Sequence, residues 1–151
     1  MVVDPHGKPP RSSLLSVVKI VVWLLEEWFA YLFQEKKEAL LLCDRYFHDL
    51  LIDPWRYRYG GPRRAANLAG KLMPQPRLWI LLDAPAELLQ ARKQEVPAEE
   101  TARQCAVYRA FIQRQKRYAI VDAAQSLEQV IADVERAIAG AILQKNTYRF
   151  D

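Results

Sequence analysis

The chain predicts an α/β fold with a parallel sheet covered on both faces, on three observations. Apolar runs of strand length alternate with longer stretches of helical period. Three such runs, over residues 39–44, 78–83 and 118–122, are continuous rather than alternating, as in strands buried on both sides. Each run ends in an acid, Asp44, Asp83 or Asp122, so a parallel arrangement lines three carboxylates along one rim, where ligands of α/β proteins bind.

At 151 residues, 51% hydrophobic and 26% charged, the chain reads as one soluble globular domain over residues 1–151, not a disordered one. A formal net charge of +4 suits anionic small molecules as readily as nucleic acid and does not choose between them. Two cysteines, Cys43 and Cys105, give no framework of bridges and fit free thiols in a reducing compartment, and with no cleavable signal recognisable in the first residues a cytoplasmic location is expected. Neither they nor His6 and His48 have metal-site spacing.

Residues 1–13 read as a Pro- and Gly-containing loop, with Ser12 or Ser13 as N-cap of the first helix. Gly7-Lys8 is not a phosphate loop, because Pro9 stands where the motif needs Ser or Thr. Lys8 and Arg11 remain candidates for phosphate contact, with a solvated loop the more ordinary role. Residues 14 to about 37 predict a long helix. Its apolar run is nearly long enough for a bilayer, but Lys19, Glu26 and Glu27 at mid-segment would each cost roughly 2.5–3.5 kcal/mol there. Ser16, Lys19, Glu26, Ala30 and Gln34 line one narrow face, so an amphipathic helix with a wide apolar face is the reading, and no membrane partner is expected.

After the 39–44 strand, residues 49–61 predict an irregular loop in which Arg56, Tyr57, Arg58 and Tyr59 alternate base and aromatic, a pattern able to stack on a ring and grip a phosphate. A helix over residues 62–73 is stopped by Pro74. The 78–83 strand leads through Pro85 into a helix to about residue 95, and Pro97 opens another to about 117. Arg92, Lys93 and Arg103 bracket the Pro97 break, where two helices could close over a ligand as a lid. The 118–122 strand precedes a last helix capped by Ser126.

The chemistry concentrates at Asp44-Arg45. Asp44 can take a hydrated metal ion or orient a cation, and Arg45 presents a planar fork matched to a phosphate; a plain strand-end ion pair is the competing reading.

Cys43-Asp44-Arg45-Tyr46, Leu81-Leu82-Asp83-Ala84-Pro85 leading into Leu89-Gln90-Ala91-Arg92-Lys93, and Ile120-Val121-Asp122-Ala123-Ala124-Gln125-Ser126-Leu127-Glu128-Gln129-Val130 together resemble the thymidylate kinase family of P-loop phosphotransferases. The resemblance covers nearly the whole chain, in order, including the Asp4-Pro5-His6-Gly7-Lys8-Pro9-Pro10 and Tyr57-Arg58-Tyr59-Gly60-Gly61 stretches of thymidylate-kinase-like bacterial proteins. It implies a three-layer α/β/α P-loop-kinase-like fold and transfer of the ATP γ-phosphoryl group, with magnesium, to a nucleoside monophosphate. By the same resemblance Arg45 holds the acceptor phosphate, and Asp44 organises it and the metal shell through water. Arg92, with Lys93 and Arg103, supplies lid cations, and Ala123, Ala124 and Gln125 lie beside adenine. Tyr46, Tyr57, Arg58 and Tyr59 are the candidate substrate contacts. No Gly-x-x-x-x-Gly-Lys-Ser/Thr occurs, so the first strand, phosphate loop and helix of the family are expected to be missing from this chain.

The expected partner is therefore a nucleotide or another phosphorylated small molecule, with a homodimer as a candidate assembly. The second reading is a non-catalytic nucleotide-binding or interaction module descended from such a kinase. A nucleic-acid binder using Arg56, Tyr57, Arg58, Tyr59, Arg63 and Arg64 ranks last, because the segment is short and the charge low.

Overall fold

The structure, a computed structural model, describes residues 7–34 and 40–147. Within them lie six helices and one parallel sheet of two strands, a mixed α/β architecture. The expected helical residues 35–37, the start of the first strand at Ala39, and His6 lie outside the described residues. The chain divides into two compact units, one running to Gln75 and the other from Pro76.

The first unit is helical. Helix α1, Ser13–Gln34, starts where the Ser12 hydroxyl accepts the Leu15 N–H and the Ser12 carbonyl accepts that of Ser16. A narrow stripe of it is covered: Ser16 and Ile20 are buried, and Trp23, Leu24 and Glu27 half-buried. Leu14, Val18, Val21, Leu25, Phe29 and Leu32 stay exposed. Much of the wide apolar face stays open; the covered stripe packs Ile20, Trp23 and Leu24 on the Phe47 core, and Ser16 is satisfied within it because its hydroxyl accepts the Gly60 N–H at 2.9 Å. Among the described residues no helix is long and apolar enough to cross a membrane.

Helix α2, Asp49–Ile52, is a single turn inside the stretch expected to be irregular, and it buries Leu50 and Ile52. Helix α3, Arg63–Leu72, turns the small residues Ala66, Ala69 and Gly70 inward, and a Cβ on Gly70 would meet Leu51 at 3.2 Å and Phe47 at 3.5 Å. Its C-terminal carbonyls are satisfied by side chains: Trp28 Nε1 donates to Leu72 at 2.8 Å and Gln75 Nε2 to Met73 at 2.8 Å. Phe47, fully buried, is the centre of a core with Ile20, Leu50, Tyr59, Ala66, Ala69 and Met73.

The strand expected to deliver Asp44 is not formed. Residues 40–43 carry no ladder, and Leu40, Leu41 and Leu42 are 62%, 59% and 67% exposed. A continuous apolar run becomes a strand only if neighbouring backbone takes its N–H and C=O groups and layers cover both faces; among the described residues neither is supplied.

The second unit holds the sheet. Strand β1, Trp79–Asp83, pairs in parallel with β2, Tyr118–Asp122, in the register Trp79↔Tyr118 through Asp83↔Asp122. Helices α4, Ala86–Arg92, and α5, Ala98–Ile112, form the crossover, and α6, Leu127–Thr147, follows β2. Pro85 and Pro97 precede α4 and α5, and Ser126 and Gln129 cap α6 reciprocally at 3.4 Å. Leu82 and Ile120 stay about half exposed on opposite faces of the sheet, so neither face is fully covered as the sequence predicts.

Candidate functional site

Arg45 and Arg58 are the two non-glycine residues with positive φ among those described, at 66° and 53°. Backbone of this kind costs about 1–3 kcal/mol at a side-chain-bearing residue and persists where the surroundings impose it, commonly at binding sites. Both are arginines that the sequence marks for substrate.

The surroundings that impose it at Arg58 come from the N-terminal segment. Arg58 Nε donates to the Pro9 carbonyl at 3.0 Å, and its own carbonyl accepts the Arg11 N–H at 2.9 Å. Next to it, a Cβ on Gly60 would lie 2.1 Å from the Arg11 carbonyl oxygen, so only glycine admits this approach. Two stretches singled out in the sequence, around Lys8 to Pro10 and around Tyr57 to Gly61, are thus laced together.

Tyr57 joins this lacing to Arg45. Its ring lies 5.8 Å from that of Trp23 and 5.8 Å from the Lys19 ammonium, which also donates to the Tyr57 carbonyl at 3.5 Å. Burial, then the charge of Asp49, pushes the Tyr57 phenol up to about 12, against the opposing pull of Arg45 and Arg56. It is therefore a neutral hydroxyl set among charges. Arg45 Nη1 stands 3.5 Å from Asp49 Oδ2, so the competing reading, an ion pair, is met by Asp49 rather than by Asp44. An open cleft of about 400 Å³ lined by Lys19, Val22, Trp23, Glu26 and Tyr57 runs along α1. Burial, then Arg11 and Arg58, lowers the pKa of Lys19.

Other expected contacts are placed differently. Tyr59 is a core residue whose hydroxyl donates to Pro62 at 3.0 Å, and the half-buried Tyr46 donates to Pro74 at 2.8 Å, so both hydroxyls close the loop rather than face a ligand. Burial, with Glu27 and Cys43, holds the Tyr46 phenol well above its usual value. Asp44 lies exposed on a bend. Lys8 is exposed, and Cys43 and Cys105 are free thiols.

In the second unit Asp83 and Asp122 are level at the carboxyl end of the sheet, as a parallel pair requires. Asp83 is gripped by Arg109, whose Nε lies 2.8 and 3.0 Å from its two oxygens while Nη2 donates to Ala84 at 3.2 Å. Asp122 Oδ1 accepts the Ala124 N–H at 2.8 Å, and Gln125 Nε2 donates to Asp133 at 2.7 Å. Arg92 Nη1 donates to the Ala123 carbonyl at 2.9 Å, which brings together the expected lid cation and the expected adenine loop. Lys93 pairs with Glu95, and Arg103 forks onto Glu100 at 2.7 Å. Gln90 Nε2 bridges the Pro97 break, donating to Val96 at 2.8 Å and to Thr101 Oγ1 at 2.6 Å, so the two helices are stitched at the point expected to hinge.

Sequence reasoning missed Lys19 as a site residue, and Arg109 and Gln90 as positioning residues. The signal for Lys19 was present: it follows Ser16 by three positions and precedes Trp23 by four, one helical face.

No protein-family model, no curated protein and no solved structure matches this chain.

Proposed function

We propose that the chain is a thymidylate-kinase-like phosphotransferase domain whose described residues bind the acceptor, a nucleoside monophosphate or another phosphorylated small molecule. The observation that carries this reading is the pair of cations held by specific contacts, Lys19 against the ring and carbonyl of Tyr57 and Arg45 at 3.5 Å from Asp49. An aromatic surface with cations nearby suits a ring bearing a phosphate: the ring packs on the aromatic surface while the cationic groups take the oxygens. In this reading Arg45 grips the acceptor phosphate and Asp49 holds its guanidinium in place. The P-loop-kinase fold is part of the proposal, resting on the sequence resemblance and supported by the in-register carboxylates of the parallel pair.

ATP and magnesium enter through the resemblance alone. The described residues do not fit the donor: the sequence has no Gly-rich phosphate loop, Asp83 is occupied by Arg109, and Gln125 by Asp133. Among the described residues no three His, Cys, Asp or Glu side chains gather as metal ligands. No step is therefore routed through the donor. The unformed strand before Asp44 favours the second reading, a module that binds such a ligand without turnover.

The test is a titration of the chain with thymidine monophosphate, followed by addition of magnesium and ATP. Saturable binding weakened about tenfold or more by Arg45→Ala is expected, since a charge-assisted bond is lost. Thymidine diphosphate formation would establish the phosphotransferase; binding without product would establish the module; binding unchanged in the variant would remove Arg45 from the site.

A further inference from the structure

We propose that Arg77, Arg114, Lys116 and Arg117, gathered at the amino end of the two-stranded sheet, dock an acidic polypeptide segment of a partner protein.

The parallel ladder gathers them. Both strands enter from the same end, and the first bond there is the Trp79 N–H donating to the Arg117 carbonyl at 3.1 Å. The same register sets Arg77 level with Lys116. With strands about 4.8 Å apart and a rise of about 3.3 Å per residue, the backbones of Arg77, Lys116 and Arg117 lie within about 10 Å of one another. The end of α5 reaches the same place, because the Phe111 ring lies 5.2 Å from that of Trp79, edge to face. Arg114 follows in the turn closed by the Arg114 and Gln115 N–H groups, which donate back to Phe111 and Ile112 at 3.1 and 3.0 Å. Gln115 Nε2 also donates to the Phe111 carbonyl at 3.0 Å, so these carbonyls of the helix end are satisfied without the cationic side chains.

These four differ from the other cations of the second unit. Arg92, Lys93, Arg103, Arg109 and Arg136 are each bonded to a carbonyl or carboxylate oxygen. Among the described residues no carboxylate pairs with Arg77, Arg114, Lys116 or Arg117, and all four are exposed. Their own stretches supply no counter-charge, since residues 63–82 and 101–121 contain no Asp or Glu. The acids of the strands, Asp83 and Asp122, stand at the opposite end. Like charges held together in this way raise the local potential, and a run of carboxylates gains at each of them. Arginine clusters recognise acidic motifs because each planar guanidinium meets a carboxylate through two parallel bonds. The form of the patch favours a peptide over nucleic acid. Tyr118, 44% exposed, gives a single open ring at this end among the described residues, not the row of stacking platforms that a nucleic-acid strand uses.

The docking surface shares no residue with the acceptor site proposed above and stands or falls by itself. The full chain is titrated into fluorescein-labelled hexaglutamate at low salt and followed by fluorescence anisotropy. Saturable binding that weakens as salt rises is expected. Lys116→Ala with Arg117→Ala should weaken it about tenfold. Lys71→Ala with Arg136→Ala removes the same charge from exposed positions elsewhere and should change it less than about twofold. Arg77→Ala with Arg114→Ala, outside both strands, decides the matter if the first pair of substitutions disturbs the ladder. Absence of saturable binding overturns the surface. Equal losses in the substituted pairs show that net charge alone is read, and overturn it as well. Tighter binding of hexathymidylate or of phosphatidylserine vesicles than of hexaglutamate, at the same salt, overturns the assignment to a peptide.

Discussion

Arg92 Nη1 and the Ala123 carbonyl oxygen, 2.9 Å apart, tie the end of α4 to the turn after β2. This bond occupies the cation expected to move over a ligand. Arg92→Ala is expected to lower stability by about 1 kcal/mol at most, because the side chain is exposed, and to accelerate hydrogen exchange in the turn after β2. Denaturant melting and amide exchange of the variant check this; unchanged protection at residues 123–125 would mean the bond is not made in solution.

Gly60→Ala sets a Cβ 2.1 Å from the Arg11 carbonyl oxygen, which cannot be accommodated without separating residues 9–11 from the loop. A loss of about 1–3 kcal/mol is expected. Ser16→Ala is expected to cost a similar amount for a different reason, since the Gly60 N–H loses its acceptor next to one of the most buried side chains in the unit. If the two variants are made together, their effects should fall short of the sum, because both release the same contact. Full additivity would contradict the lacing.

Burial lowers the pKa of His48 below 6.5, with a hydrogen bond to the Gly70 backbone partly offsetting it. The folded state thus binds the proton less readily than the unfolded state. Stability from the neutral ring is complete above pH 6.5 and is lost as pH falls below 6.5 toward the folded pKa. Urea denaturation across that range should show stability falling with acid, and His48→Gln should remove part of the slope; an identical slope in the variant assigns it to other groups.

Arg109 and Asp83 should couple. Both side chains are partly exposed, so a double-mutant cycle of Arg109→Met and Asp83→Asn is expected to show a small favourable coupling that shrinks at high salt. A coupling near zero at low salt would show that the grip only orients the carboxylate.

The two strands at Trp79–Asp83 and Tyr118–Asp122 were legible almost to the residue, and the one at 39–44 was not, although its local pattern is the strongest of the three. The difference is not local. β1 and β2 complete each other's hydrogen bonds, whereas the Leu40–Leu42 backbone has no ladder, and apolar content cannot replace one. Helix ends marked by proline or serine were read within a few residues because the cap is itself a local chemical event. The left-handed turns at Arg45 and Arg58 were invisible, since nothing in an arginine announces positive φ; contacts made by Pro9 and Arg11 impose it at Arg58. Lys19 was missed because helical periodicity identifies a face without saying what covers it.

The parallel pairing of β1 with β2 also bears on how the second unit comes to exist. Every rung, from Trp79 with Tyr118 to Asp83 with Asp122, joins residues separated by the whole α4 and α5 crossover. Local helices form within about a microsecond, but a rung can close only after the intervening chain has been drawn in, and that search precedes any reward from the ladder. Refolding of this unit is therefore governed by one late, long-range event. Substitutions within the ladder should leave early helix formation intact and change the speed of the final step.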